Sequence, residues 1–199
     1  TLANRITGLG FFWYLTNFST ALINMSQVPL MTFPDLAARY GAKNATSEIM
    51  RTVKDYGKWK FNWGEGKKKA EEAIDARFDG DMGRMLQFLE KTGAKSRTET
   101  VSLAGMGEED AYFSSNPVVM WANKFAKALS FPFQQSEIAN REISAIAAYT
   151  LARQAAKDKT PEDAHQYAQE IAYNTVFRTQ NDFSNANRAR YWRSDLARI

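Results

Sequence analysis

The sequence predicts an all-α protein, an irregular bundle of about seven to nine helices. Three observations carry this. No stretch alternates apolar and polar residues with the period of two that a half-buried strand needs. Apolar residues recur instead at spacings of three and four, as in Met82, Met85, Leu86 and Leu89. Glycines and prolines stand at the ends of those runs, where they stop or start helices. At 199 residues the chain reads as a single helical domain, 1–199. Thr1 stands where an initiator methionine would, so a segment of a longer polypeptide is expected.

The first element is the 29-residue stretch without a charge between Arg5 and Asp35. Twenty of its residues as a helix would reach about 30 Å, enough for a hydrocarbon core. Asn17, Thr20, Asn24 and Gln27 form one polar stripe; Phe11, Tyr14, Leu15, Phe18, Leu22 and Met25 form an apolar one. This fits a buried helix of a bundle, or a segment that enters a membrane only where partner helices satisfy the stripe. Pro29 and Pro34 are expected to break the chain after it. Pro34 and Asp35 start a short helix, and Gly41 stops it. Asn44 or Thr46 is expected to cap the next helix, running through Tyr56 with Ile49, Val53 and Tyr56 on one face. Gly57, Gly64 and Gly66 should interrupt. Lys67 to Phe78 is a charged, alanine-rich and mostly solvated helix ended by Gly80. Asp81 is placed to cap the Met82–Leu89 helix, and Gly93 to close it.

Residues 94–115 show no helical period and read as the main internal loop. Ser114 or Ser115 then caps a helix that has Pro117 in its first turn and Val118, Trp121, Phe125 and Leu129 facing inward. Pro132 is expected to break it. Between Ile143 and Ala152 only Ser144 and Thr150 are polar, so this helix should lie at the centre. Ile143, Ile146, Ala147 and Leu151 should pack there against the Phe11–Met25 or the Val118–Leu129 helix. Thr160, Pro161, Glu162 and Asp163 supply a cap, a proline at the first helical position and two carboxylates at the positive helix end. That helix should run to about Arg178. An asparagine-rich turn and an arginine-rich end follow.

Composition narrows the chemistry. Without cysteine there is no disulfide, thiolate metal site or thiol nucleophile. A single histidine, His165, excludes multi-histidine metal sites and is expected as a surface or half-buried helix residue. Gly64-Glu65-Gly66-Lys67-Lys68 fails as a phosphate loop, because Phe61 takes the first glycine position and Lys68 stands where Ser or Thr is needed. Gly8 and Gly10 are followed by Trp13 where a dinucleotide fingerprint needs a third glycine. Glu71/Glu72 and Glu108/Glu109/Asp110 are neighbours in sequence, not carboxylates converging across a cleft. No catalytic residue, cofactor or metal is assigned.

Two constellations remain. Glu137, Asn140, Arg141 and Glu142 open the most apolar helix, with Glu137 and Arg141 spaced for an ion pair. They read as a structural polar network that sets helix register, or as a site for an anion or a partner. The net charge is +4. It is concentrated in Lys54–Lys69, where Lys58, Lys60, Lys67, Lys68 and Lys69 are interleaved with Tyr56, Trp59, Phe61 and Trp63. A second concentration is Arg178–Arg198, with Arg188, Arg190 and Arg193 beside Tyr191 and Trp192. Cations among aromatics suit phosphates and stacked bases. They equally suit aromatic core plugs with a solvated charged rim.

Three motifs carry a resemblance. The first is Asn24-Met25-Ser26-Gln27-Val28-Pro29-Leu30-Met31-Thr32-Phe33-Pro34 with Leu36-Ala37-Ala38-Arg39-Tyr40-Gly41. The second is Ser136-Glu137-Ile138-Ala139-Asn140-Arg141-Glu142-Ile143-Ser144-Ala145 with Ala147-Ala148-Tyr149. The third is Asn181-Asp182-Phe183-Ser184-Asn185-Ala186-Asn187-Arg188. From about Ala21 to Trp192 the chain resembles the helical large polyvalent protein associated region of very large tailed-phage proteins. Lys43 to Phe113 carries none of its motifs. Such regions occur in internal virion proteins ejected with the genome and in giant virion-packaged RNA polymerases. The resemblance implies a non-enzymatic virion protein that reaches the host envelope and assembles a DNA conduit. Its partners would be copies of itself, other virion proteins, phage DNA and the host membrane. On that reading Phe11, Phe12, Trp13, Asn17, Asn24 and Gln27 are the candidates for oligomer or envelope contact. The alternative it implies is a nucleic-acid-binding accessory region of a virion RNA polymerase.

Overall fold

The computed structural model describes residues 25–62, 64–78, 80–94 and 117–180, with side chains from Gln135 onward in the last of these. Among the described residues there are six α-helices, a π-helical turn and a 3-10 turn, and no strand. The helices are α1 Phe33–Tyr40, α2 Ala42–Phe61, α3 Glu65–Asp75, α4 Met82–Lys91, α5 Pro117–Ala155 and α6 Pro161–Thr179. Two compact units share the chain. One comprises Ser26–Lys95 and Ala139–Asn181; of the other, Met25 and residues 117–138 are described. Phe11, Phe12, Trp13, Asn17, Asn24, Arg188, Arg190, Arg193 and all of the 94–115 loop except Ala94 lie outside the described residues.

Pro34 falls in the first turn of α1, as expected, but no break precedes it. Val28–Thr32 is a π-helical turn that runs directly into α1 without leaving helical backbone angles at Thr32 or Phe33. The Phe33 amide reaches back five residues to the Val28 carbonyl. A π-turn already departs from the four-residue ladder, so a residue without an amide hydrogen costs less there. Gly41 ends α1 with φ 84° and ψ 144°, a conformation reserved for glycine, and its amide bonds the Ala37 carbonyl at 3.0 Å.

The second helix starts at once after Gly41, so neither Asn44 nor Thr46 caps it. Both sit inside the helix and bond carbonyls four residues back, Tyr40 at 2.9 Å and Ala42 at 2.8 Å. Its inward face is Ala45, Glu48, Ile49, Thr52, Tyr56 and Trp59; Val53, expected on that face, is exposed. Thr52 takes the buried place and donates to Glu48 at 3.2 Å, which satisfies a hydroxyl that burial alone would penalise. Gly57 does not interrupt the helix. A mid-helix glycine costs about 1 kcal/mol, and the packing of Trp59 beyond it offsets that.

Gly64 (φ 61°) turns the chain into α3, which buries Ala70 and Ile74 and leaves Lys67, Lys68 and Lys69 exposed. Asp81 precedes α4, yet its side chain makes no cap bond. Asp75 caps instead: its carboxylate accepts from the Met82 amide at 3.1 Å. Met82, Met85 and Leu89 form the buried stripe, and Gly93 (φ 71°) closes the helix.

The fifth helix carries Pro132 without ending, so the two helices expected on either side of it are one of 39 residues. The missing amide removes one hydrogen bond, at about 3 kcal/mol or more. The many remaining turns and the buried face beyond Ser136 outweigh it. The Val118–Leu129 segment, expected as a separate helix, is part of the same helix as Ile146. Every residue from Asn140 to Ala152 is buried, and contacts reach this stretch from the π-turn, α2, the 3-10 turn at Ala76–Phe78, the turn after α4, and α6. Phe78 stacks on Tyr149 with ring centroids 4.5 Å apart. Thr160 caps α6 as expected, accepting from the Asp163 amide, and α6 buries Ala164, Ala168, Ala172 and Val176.

Ile146→Ala removes a side chain with no solvent exposure. The expected loss of unfolding free energy in urea is about 2–5 kcal/mol, against a negligible change for Met50→Ala on the exposed side of α2.

Candidate functional site

The polar residues of the buried helix meet three separate sets of partners. The first set is a chain of hydroxyls. Gln180 Nε2 donates to Ser144 Oγ at 3.2 Å, and Ser144 and Thr32 hydroxyls lie 2.7 Å apart. Thr32 Oγ1 donates to Thr179 Oγ1 at 3.3 Å, and Thr179 donates to the Thr175 carbonyl at 2.8 Å. One orientation serves them all, with Ser144 donating to Thr32. The chain ties the π-turn, α5 and α6 together in a place closed to water. Beside it Asp35 holds Arg39 and Arg178, each at 3.2 Å.

The second set surrounds Glu142, a fully buried carboxylate. Tyr56 Oη donates to it at 2.6 Å, and Lys60 Nζ lies at 3.1 Å. The lysine also lies over the Trp59 ring, 3.8 Å from its centroid. Burial, and then the neighbouring carboxylate, push the Tyr56 phenol well above its ordinary range, so it stays a donor. Glu137, Asn140 and Arg141 are buried as well. Arg141 Nη1 donates to the Ala94 carbonyl at 3.0 Å, which fixes the turn after α4 to α5.

The third set gathers around Asp81. Arg153 Nη1 reaches its Oδ2 at 3.0 Å, Arg84 Nη1 its Oδ1 at 3.0 Å, and His165 Nδ1 lies 3.4 Å from Oδ2. Burial pulls the Asp81 carboxyl upward, but the hydrogen bonds from Arg153 and Arg84 outweigh it and hold the group below its ordinary value. Arg84 also clamps Glu162 with both terminal nitrogens, at 2.8 and 3.3 Å. His165 is thus a buried core histidine and not a surface residue, because it falls on the same inward face of α6 as Ala164, Ala168 and Ala172.

The lysines expected to meet phosphates divide. Lys58, Lys67, Lys68 and Lys69 are exposed, whereas Lys60 is held by Glu142 and Trp59. Tyr56 and Trp59 are buried edge to face, with centroids 5.8 Å apart, so neither offers a ring to a base. Gln27 is half-buried at the entrance to the π-turn.

Among the described residues no group of three or more carboxylate or histidine side chains could hold a metal ion. No described helix is long and apolar enough to cross a membrane. No protein-family model, curated protein or solved structure matches the chain. Sequence reasoning placed Glu142 in a polar network but missed Tyr56 and Lys60 as its partners, and it missed the Asp81, Tyr149, Arg153 and His165 cluster. One signal was present: an aspartate and a histidine among otherwise apolar or capping positions.

Thr32→Val should cost about 1–3 kcal/mol by stranding buried hydroxyls. Because Ser144 shares the network, the loss in the Thr32→Val, Ser144→Ala double variant should fall short of the sum of the singles by 0.5 kcal/mol or more, on the order expected for contacting residues. Denaturant midpoints of the four proteins measure it.

Proposed function

We propose that the chain is a non-enzymatic structural part of a tailed-phage virion. It belongs to an internal or ejection protein that leaves the particle with the genome and, with further copies and other virion proteins, lines a path for DNA across the host envelope. One observation carries the reading. Thr32 of the first resemblance motif and Ser144 of the second are hydrogen-bonded in the core, and Gln180, next to the third, donates to Ser144. Residues of the motifs thus pack one helical unit together, which supports a scaffold role. Motifs that organise a reaction would instead converge on an open cleft.

Particle composition tests this. The parent polypeptide should be found in several copies in full particles, in a ring on the genome exit path, and should be lost from particles that have released their DNA. Absence from full particles, or a single copy in them, overturns the proposal.

A second reading, a nucleic-acid-binding accessory region of a virion RNA polymerase, is favoured by the exposed lysines at positions 58, 67, 68 and 69. There log K should fall with log salt by about 0.9 per phosphate neutralised on duplex and about 0.7 on single strands. Replacing Lys67, Lys68 and Lys69 by Gln should flatten that slope. No binding to either form at low salt removes this reading.

A further inference from the structure

His165 is the chain's sole histidine and is 1% exposed. Its Nδ1 lies 2.7 Å from the Tyr149 hydroxyl. That hydroxyl oxygen accepts from Arg153 Nη1 at 2.8 Å, so its own hydrogen is directed to Nδ1. The assignment leaves the neutral ring's hydrogen on Nε2, a buried atom with no hydrogen-bond partner among the described residues. The ring is held as an acceptor.

A proton on Nδ1 conflicts with this arrangement. The tyrosine's hydrogen loses its acceptor, and the new N–H turns to Asp81 Oδ2, the oxygen that already holds Arg153 at 3.0 Å. The charged groups facing the ring are Asp81 and Arg84 from the start of α4, Arg153 from α5 and Glu162 from its own helix. Two arginines and two carboxylates balance; an imidazolium leaves one positive charge in excess beside a buried wall. The same few bonds hold the start of α4 to α5 and α6. Arg153 reaches Asp81, and Arg84 reaches Glu162.

We propose that this cluster is an acid-sensitive latch: protonation of His165 breaks its bond with Tyr149, draws Asp81 off Arg153, and loosens the start of α4 from α5, while Arg84–Glu162 and the new His165–Asp81 pair keep it on α6. The latch is a property of the fold and is independent of the role proposed above.

Burial holds the imidazole below its ordinary 6.5, and the attraction of Asp81 does not reverse this. The unfolded chain, with an unperturbed ring, therefore takes up the proton first as pH falls. Stability is full above about pH 6.5, declines as pH drops towards the folded-state value, and loses nothing more to this group below it. Asp81 and Glu162 are both held below their ordinary values, so their own losses come only at lower pH.

The test is a pH titration of the full chain from 8 to 5. NMR follows the single imidazole, and thermal unfolding and amide exchange follow the protein. The ring should titrate below 6.5, the melting temperature should fall between pH 7 and 5, and protection of the Met82–Leu89 amides should fall with it. His165→Asn should flatten the melting-temperature slope in that window. Tyr149→Phe, which removes the competing hydroxyl, should raise the imidazole pKa. A ring that titrates at or above 6.5, amide protection that does not change, or the same slope in His165→Asn overturns the latch. If either variant fails to fold, the wild-type ring and amide titrations decide alone.

Discussion

A helical stretch buried on every side must find a partner for each polar group it carries, and Asn140–Ala152 of α5 carries many. Leaving one such group without a partner costs about as much as a sizeable share of a small protein's net stability. The surrounding helices are placed by that demand. Ser144 takes Thr32 and Gln180, Glu142 takes Tyr56 and Lys60, Arg141 takes the Ala94 carbonyl, and Tyr149 takes His165 and Arg153. Apolar contact among alanines and Ile146 supplies the driving force. It tolerates many registers, because small smooth side chains pack nearly as well after a shift by one turn. The directional bonds do not, and they single out one arrangement.

Small residues make these bonds reachable. Ala145, Ala147, Ala148 and Ala152 on α5, with Ala164, Ala168 and Ala172 on α6, are almost wholly buried and let side chains as short as serine and threonine meet across helices. Where the chain needs a sharper change, glycine supplies it, as at Gly41 and Gly93. Where it needs a wider one, the π-turn at Val28–Thr32 places Thr32 inward although prolines flank it.

The candidate site was legible in part. The alanine-rich, charge-poor run after Ile143 marked the central helix, and the Glu137–Glu142 cluster marked its polar entrance. The partners were not legible, because Tyr56 and Glu142 stand 86 positions apart, and no local spacing encodes that pairing. Asp81 was misjudged for a related reason. An aspartate just before a helix ordinarily bonds the helix's own amides, yet here Asp75 does so and Asp81 is left to gather two arginines and an imidazole. The aromatics among the lysines had two readings in sequence; burial of Tyr56 and Trp59 decides for core plugs at those two positions, while the exposed lysines keep their charge for a partner.

The sequence by itself determined the helical class of the described residues, the α6 start at Thr160, the stops at Gly41 and Gly93, and the buried run after Ile143, because periodicity, capping and backbone freedom are local properties. Tertiary structure alone decided three things. Pro29 and Pro132 lie within continuous helical chain, since the cost of one missing amide is local while the packing that offsets it is not. Thr52 lies inward on α2 where Val53 was expected, since the Tyr56–Glu142 bond sets which side of α2 faces α5, and Thr52, one turn before Tyr56, falls on that side. His165 is buried among charges, since α4 meets the consecutive helices α5 and α6 at that point and only their meeting sets its environment.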